Sequence, residues 1–232
     1  MFKGWFDETY RQHMSRADYW VLVAQLVVEI HSVVDDPSIL FRYGLPDSNN
    51  CPSSSSRLPV SSGCTDVEDL FINRLGLNWT DTVTLMGGHT MRCGSEDLSG
   101  QEGSWVDTPK DTTTFDNKYY DKLMECGWFP RETDVGTDWT RGNEMILPKL
   151  MLNSDICLAF DIPDGDEQTC CTRLEDYSCV NFRVGCETSD EVRNVAHKAV
   201  KTFKEDETEF YHAFWKLGSR QLKMVLIISK KY

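Results

Sequence analysis

The stretch Thr-Asp-Thr-Val-Thr-Leu-Met-Gly-Gly-His-Thr at residues 80–90 constrains this chain more than any other. Thr80 and Asp81 suit the beginning of a helix, as a cap and as a first-turn acid. Side chains at helical spacing then share one face, namely Thr82, Leu85, Met86 and His89. The sequence therefore predicts a short helix that displays a histidine next to two glycines.

The two glycines before His89 need a physical reason, because a glycine inside a helix costs about 1 kcal/mol relative to alanine. One reason is the close approach of a large flat ligand to the backbone while the imidazole binds the metal of that ligand. The alternative is a core histidine near a helix end whose ring is satisfied by protein groups. The segment alone leaves both interpretations open.

Length and charge limit the classes of protein to which this chain can belong. Its 232 residues allow one large domain or two small ones, and 40% hydrophobic residues permit a substantial core. A formal net charge of −13 argues against nucleic acid and anionic membranes as partners. The longest apolar run lies between Trp20 and Ile30, is interrupted by Gln25 and Glu29, and is too short to span a bilayer.

Nine cysteines are a high count, and an odd number leaves one unpaired if the others form disulfides. Cys51 and Cys64 flank a serine-rich loop. A second polar loop contains Cys170, Cys171, Cys179 and Cys186. Both groups are typical of disulfides that hold loops in an oxidising compartment. A zinc site is the alternative, which the lack of a Cys-x2-Cys pair and of neighbouring histidines disfavours.

Five segments resemble one protein family and occur in the family's order. Gly-Gly-His-Thr at residues 87–90 resembles the proximal-histidine motif of the plant, fungal and bacterial haem peroxidase superfamily. Gly-Ser-Trp at 103–105 and Phe-Asp-Asn-Lys-Tyr at 115–119 resemble its Gly-Pro-Trp and Phe-Asp-Asn-x-Tyr segments. Leu-Asn-Ser-Asp at 152–155 resembles the segment with the proximal aspartate, and residues 15–20 resemble the start of the helix just past the distal half.

The resemblance implies a mainly α fold with long loops and little or no sheet, namely the proximal or C-terminal part of the all-helical peroxidase fold. Residues 1–34 would then be a remnant of the distal half, and residues 35–65 a connecting loop. Residues 66–218 would form the proximal half, and a divergent tail would follow at 219–232. The chain is in this sense similar to a family member truncated on its distal side.

Residue patterns also predict where several elements lie. We expect a buried helix over residues 15–34 with Ser15 as its cap. Further helices are expected over residues 65–75 and 116–125. Residues 126–143 have the composition of a polar loop, and residues 148–152 suit either a helical or an extended piece.

Two amphipathic helices are predicted near the end of the chain. Ser189 suits the cap of the first helix. Its core stripe is expected to consist of Val192, Val195, Ala196, Ala199 and Phe203. The second helix is expected over residues 206–217, with Gly218 as the residue that ends it.

The resemblance implies that His89 is the axial ligand of a haem b iron. A histidine ligand needs an acceptor for its other ring nitrogen, and Asp155 matches the family aspartate that provides one. The carboxylate makes the imidazole a stronger donor to iron. Trp105 matches the aromatic residue beside this pair, where its N–H could bond Asp155 and its ring could carry an electron hole. A turn carboxylate and a core tryptophan are the alternatives.

Thr90, Thr108 and Asp116 match parts of a cation site that many family members have near the proximal helix. Hydroxyl, carboxylate and carbonyl oxygens would suit K⁺ or Ca²⁺, and Asp107 could join them. The sequence departs from the pattern at Val106, where a threonine ligand is common, and in a longer loop before Asp116. The resemblance therefore implies a cation site whose ligand set is incomplete.

The distal side departs further from the family pattern. The family cleaves peroxide with an arginine and a histidine above the haem, in a helix that precedes the segment matching residues 15–20. Only fourteen residues precede Ser15. The one Arg-x-x-x-His, from Arg193 to His197, matches the C-terminal helix of the family instead. Arg92 is a second departure, because a bulky side chain there could disturb the seating of haem.

The implied function is haem-dependent reduction of hydrogen peroxide with oxidation of a small organic donor, impaired by the missing distal pair. The alternatives are a non-catalytic haem-binding descendant and a cysteine-stapled interaction module without haem. Trp105 resembles the intracellular class of the superfamily, whereas the cysteines favour secretion. The sequence therefore leaves the compartment open.

Overall fold

The chain is mainly helical, as predicted. The computed structural model describes residues 2–34, 41–48, 64–91, 93–125, 127–141, 148–160, 174–175, 178–179 and 194–229. The helices are α1 (Phe2–Trp5), α2 (Arg16–His31), α3 (Thr65–Glu68), α4 (Trp79–Met86), α5 (Glu96–Ser99), α6 (Lys118–Leu123), α7 (Asn153–Ile156), α8 (Asn194–Glu205) and α9 (Glu207–Ser229). Wider π-helical turns continue α1 and α3, and 3₁₀ turns occupy Gly87–Thr90 and Asp111–Thr113.

Strands are short and form three small antiparallel sheets. They are β1 (Cys93–Gly94), β2 (Gly103–Ser104), β3 (Phe129–Thr133), β4 (Gly136–Thr140), β5 (Met151–Leu152), β6 (Leu174–Glu175) and β7 (Ser178–Cys179). β1 pairs with β2, β6 pairs with β7, and β4 lies between β3 and β5. The expectation of little sheet is therefore confirmed for the described part of the chain.

The β3–β4 hairpin corrects the prediction of a polar loop over residues 126–143. Trp139 is buried in this hairpin, and so is the carboxylate of Asp138. Arg131 neutralises that carboxylate with two hydrogen bonds, from Nε at 2.9 Å and from a terminal nitrogen at 2.8 Å. The polar composition suggested a loop because an ion pair between the part-exposed Arg131 and the buried Asp138, rather than apolar alternation, supports these strands.

α2 begins as predicted, because the Ser15 side chain accepts a hydrogen bond from the Asp18 amide at 3.0 Å. The prediction that α2 is buried is wrong for the part of the chain that the structure describes. Trp20 is 50% exposed and Ile30 is 75% exposed. The helix is held at its ends instead: Asp47 accepts the amides of its first turn, and the His31 carbonyl accepts the Phe115 amide at 2.8 Å.

The core lies where α4, α6, α8 and α9 meet. Aromatic rings fill it, with the centroids of Tyr120 and Phe210 5.2 Å apart and those of Tyr120 and Phe203 5.5 Å apart. Asn117, just before α6, donates to the carbonyls of Phe203 and Lys204 and so caps the end of α8. The region resembling the proximal half is thus a packed helical unit.

The last two helices differ in detail from their predictions. In α8, Val195 is 47% exposed, whereas Val200 is buried together with Ala196, Ala199 and Phe203. Ser189 and Val192 lie outside the described residues. Helix α9 continues through Gly218 to Ser229, so the prediction that Gly218 ends it is wrong. A glycine weakens a helix by only about 1 kcal/mol, which is too little to end one by itself.

One disulfide joins Cys64, at the start of α3, to Cys157, directly after α7, across 93 positions. Cys64 was expected to hold its own serine-rich loop, and this pairing corrects that expectation. Cys51, Cys170, Cys171 and Cys186 lie outside the described residues. Among the helices of the described ranges, none combines the length and apolar character that crossing a bilayer requires.

Candidate functional site

Helix α4 and the turn after it carry His89. The helix cap is Asn78, whose side-chain oxygen accepts the Asp81 amide at 2.7 Å, and not Thr80 as predicted. Helix α4 tightens into the 3₁₀ turn Gly87–Thr90. His89 consequently lies on this turn and not on the predicted α-helical face. Leu85, which was expected to share that face, is 38% exposed.

Gly87 is required by packing between helices. A Cβ there would lie 2.3 Å from Tyr120 Oη and 2.5 Å from Phe210 Cε2, closer than any side chain tolerates. The predicted reason, close approach of a ligand, is therefore not needed at this position. At Gly88 the nearest atom of the described residues to such a Cβ is Phe214 Cε2 at 4.0 Å, so these residues leave open space next to His89.

His89 and Asp155 are brought together although 66 positions separate them. Nδ1 of His89 lies 2.8 Å from Oδ1 of Asp155, whose carboxylate is completely buried. Asp155 also accepts the Leu152 amide at 2.7 Å and thereby caps its own short helix, α7. Asp155 is thus both a turn carboxylate and the acceptor that orients His89, so the two interpretations of this residue describe the same geometry.

Trp105 follows β2 and completes a second contact with Asp155. Its indole N–H donates to Oδ2 at 2.7 Å, which is the predicted bond. Its ring stacks on the His89 imidazole with centroids 4.4 Å apart and planes 26° apart. A buried tryptophan whose N–H is satisfied in this way holds both the imidazole and the carboxylate in place.

Tyr119 is the member of the site that sequence reasoning missed. Its buried hydroxyl donates to Oδ1 of Asp155 at 2.7 Å, so that Oδ1 is shared by Tyr119 and His89. Burial and the neighbouring Asp155 charge raise the pKa of Tyr119 well above its usual value, which keeps the phenol protonated as a donor. The signal was present, since a buried tyrosine in a motif beside the candidate site needs a partner.

The imidazole of His89 is oriented for binding at its other nitrogen. A carboxylate next to Nδ1 favours the tautomer that carries the proton there, which leaves the lone pair on Nε2. The side chain is 29% exposed, and among the described residues no protein group bonds Nε2. This arrangement suits a metal ligand better than a histidine whose two nitrogens are both satisfied in a core.

The three residues predicted for a cation site do not come together. Thr90 donates to Oδ1 of Asp116 at 2.7 Å, and both side chains are buried. Thr108 is exposed and donates instead to Asp111 at 2.6 Å. Over the part of the chain that the structure describes, no three His, Cys, Asp or Glu side chains form a group able to hold a metal ion.

Asp107, the fourth oxygen donor considered for that site, pairs with two lysines. Its carboxylate lies 2.5 Å from Lys122 Nζ and 2.9 Å from Lys149 Nζ. Partial burial raises the pKa of Asp107, but hydrogen bonds and charge from both ammonium groups outweigh it and leave the pKa below its usual value. Asp107 therefore anchors the Trp105 segment to its surroundings.

His197, another residue that the sequence drew attention to, makes its described hydrogen bond away from these four side chains. His197 is buried on α8, with its Nδ1 3.1 Å from the Ala159 carbonyl, as expected of a C-terminal helix residue. Arg92 and Arg193 lie outside the described residues. The described site therefore consists of His89, Asp155, Trp105 and Tyr119.

Comparison with known proteins agrees with this geometry. The family model described as "Peroxidase" matches residues 2–163, well over half of the chain. A protein of Mycosarcoma maydis named "Putative heme-binding peroxidase" is 35% identical over 122 residues, which cover 51% of this chain and 34% of that protein. A protein of the same name from Candida albicans is 31% identical over 152 residues, covering 64% and 49%.

A plant enzyme is similar to the same degree. L-ascorbate peroxidase 3 of Arabidopsis thaliana is 35% identical over 109 residues, which cover 47% of this chain and 36% of the plant protein. The matched region thus spans between about a third and a half of the length of these relatives.

Proposed function

Because the chain belongs to the peroxidase family, we propose that it binds haem b through Nε2 of His89 and provides the proximal side of a haem peroxidase. The observation that carries the proposal is the contact of 2.8 Å between His89 and the buried Asp155. The space that the described residues leave beside Gly88 suits a flat ligand next to the turn. The names of two fungal relatives, which include heme binding, support the choice of cofactor.

Asp155 would act on His89 by holding its Nδ1 proton. A buried carboxylate that accepts this proton gives the imidazole anionic character and makes Nε2 a stronger donor. Haem, when bound, supplies the iron at which peroxide is reduced. Trp105 would keep the imidazole and carboxylate aligned, and the Asp155 charge would also stabilise an electron hole on its indole.

We further propose that this chain turns over hydrogen peroxide slowly. In the family, a histidine above the haem transfers a proton and an arginine provides a positive charge. Each of these effects typically raises the rate of a reaction by several orders of magnitude. Within these 232 residues, the only Arg-x-x-x-His is the one from 193 to 197, and His197 is buried against Ala159. A small organic compound would be the electron donor.

Hemin titration tests the proposal. The purified chain is mixed with hemin and the Soret band is recorded for the natural protein, for His89→Ala and for His212→Ala. His212 is an exposed histidine on α9 and serves as the matched control. We expect a shifted Soret band that His89→Ala abolishes and His212→Ala preserves, because among the histidines that the structure describes only His89 has a carboxylate beside its Nδ1.

The second half of this experiment measures turnover with peroxide and a chromogenic phenol. Turnover that is weak and lost with His89→Ala agrees with the proposal. Binding without any turnover favours the non-catalytic haem-binding alternative. No Soret shift at all would contradict the proposal and leave the cysteine-stapled interaction module, for which the Cys64–Cys157 bond would then be the best structural support.

A further inference from the structure

The carboxylate of Asp116 already has a cation beside it. This side chain is 4% exposed, and its Oδ1 accepts the Thr90 hydroxyl at 2.7 Å and the Lys118 amide at 3.1 Å. Its Oδ2 lies 3.4 Å from the ammonium of Lys118. A buried carboxylate needs such compensation, because an isolated buried charge is strongly destabilising.

Lys118 and its partner Asp111 also occupy oxygen atoms that a metal ion would need as ligands. Its ammonium bonds the Asp111 carboxylate, which accepts the hydroxyl of Thr108 at 2.6 Å and its amide at 3.2 Å. Thr108 is thereby committed to Asp111 rather than to the Asp116 side of the cluster. The residues present do not fit a K⁺ or Ca²⁺ site, since the ligand set is divided between two carboxylates joined by one ammonium.

We propose that the ammonium of Lys118 takes the place of a bound metal cation in this chain. The cation is covalently part of α6 and connects Asp111, in the 3₁₀ turn, with Asp116. Asp116 in turn holds Thr90, which directly follows His89. The turn that carries His89 is therefore fixed by a charge that the chain itself provides.

A built-in cation and a bound cation differ in a measurable way. A metal that binds only the folded state stabilises it increasingly with concentration, so the melting temperature depends on the salt that is present. A lysine has no such dependence, because its local concentration is set by the chain. The proposal concerns the fold around the turn and can be measured on the protein without hemin.

The first experiment compares the melting temperature of the 232-residue chain in choline, potassium and calcium chloride at equal ionic strength. We expect the three melting temperatures to agree within about 1 °C. A higher melting temperature in potassium or calcium chloride than in choline chloride would overturn the proposal.

The second experiment removes the charge. Lys118→Met keeps the length of the side chain and is expected to lower the melting temperature by about 2–4 °C, since Asp116 loses its counter-charge. Lys204→Met is the matched control, because Lys204 pairs with Asp121 at 3.2 Å between two side chains that are 40% and 46% exposed. It is expected to change the melting temperature by less than about 1 °C.

Lys118→Arg completes the series and keeps the positive charge in place. This variant is expected to retain most of the stability that Lys118→Met loses. Equal melting temperatures for Lys118→Met and the natural protein would contradict the proposal. If Lys118→Met does not fold, Lys118→Arg and the salt comparison still test the proposal. A poorly folded Lys118→Arg would overturn the proposal, and so would a natural protein whose melting temperature depends on the salt. None of these outcomes depends on whether hemin binds.

Discussion

At the scale of the residue, Asp155 combines a local and a long-range task. It accepts hydrogen bonds from His89, Trp105, Tyr119 and the Leu152 amide, at distances of 2.7 to 2.8 Å. The Leu152 bond fixes the carboxylate within its own helix. The other three bonds draw distant segments onto it, so that one buried charge defines where the site lies.

We predict that Tyr119→Phe shifts the reduction potential of the hemin complex to a more negative value. The phenol and the imidazole share Oδ1, and removing the phenol leaves the carboxylate a stronger acceptor for His89. The stronger acceptor makes the imidazole more anionic and favours ferric over ferrous iron. Potentiometric titration of the hemin complex measures the shift.

Tyr120→Phe is the control for this prediction. Tyr120 is equally buried, but its hydroxyl donates to the Val83 carbonyl at 3.0 Å and not to Asp155. Both variants are expected to lose about 1 kcal/mol of unfolding free energy with their hydrogen bond. An equal change of potential in both would show that Tyr119 acts only through stability.

Individual residues of the site were predicted from the sequence more successfully than the larger elements were. His89, Asp155 and Trp105 were named from motif resemblance, and the structure joins all three. Tyr119 was placed only in the predicted helix over residues 116–125, because periodicity indicates the positions of a helix and not which polar atom a hydroxyl meets. Thr108 was linked to Asp116 by resemblance, whereas the nearby Asp111 offers its hydroxyl a closer acceptor.

At the scale of the element, the junction of α4 with its 3₁₀ turn is the most constrained point. We predict that Gly87→Ala lowers the free energy of unfolding by about 1–3 kcal/mol, the usual cost of overpacking a core. The added methyl group would meet the Tyr120 hydroxyl at 2.3 Å and the Phe210 ring at 2.5 Å. Urea denaturation followed by circular dichroism measures the loss.

Gly88→Ala is the matched substitution one position further along. Within the part of the chain that the structure describes, its methyl group would meet no atom closer than Phe214 Cε2 at 4.0 Å. Alanine favours a helical backbone over glycine by up to about 1 kcal/mol, so stability should be unchanged or slightly higher. A loss as large as that of Gly87→Ala would mean that the backbone, and not the contact with Tyr120, demands glycine at both positions.

The start of α2 was predicted from a strong local signal, whereas a hairpin with polar support and a helix with a weak stop signal were not predicted. Ser15 caps α2 as expected because the bond spans three residues. The β3–β4 hairpin was missed because its support is the ion pair between Arg131 and Asp138. The continuation of α9 through Gly218 was missed because a glycine is only a weak stop signal.

At the scale of the whole molecule, ion pairs link the segment from residue 103 to residue 116 to α6 and to Lys149, just before β5. Asp107 joins Lys122 and Lys149, and Asp111 joins Lys118. These carboxylates are charged in a chain whose formal net charge is already −13, so their lysine partners also limit repulsion. The free energy of unfolding should consequently depend on pH in the acidic range.

We predict that titration of these carboxylates leaves the free energy of unfolding constant between about pH 5 and 8 and lowers it below about pH 4. The hydrogen bond from Lys118 lowers the pKa of Asp111, and the two lysines lower that of Asp107. A lowered folded pKa stabilises the fold above the unfolded pKa and loses that contribution as pH falls through the folded pKa. Urea denaturation at a series of pH values measures the loss.

Lys118→Met should flatten part of this acid dependence, because Asp111 then titrates closer to its unfolded value. Lys204→Met should leave the pH profile as it is, since its pair with Asp121 is exposed on both sides. A natural protein whose stability is constant down to pH 3 would contradict the assigned pairs.

The bond between Cys64 and Cys157 closes a covalent ring, and His89, Trp105, Tyr119 and Asp155 all lie on the stretch of chain inside it. A protease that cuts once at an accessible point of this stretch, such as Val135 between β3 and β4, therefore opens the ring without releasing either piece. The two fragments stay tethered, each still holding its share of the four side chains. A nicked molecule would keep its contacts until a reductant separates the halves.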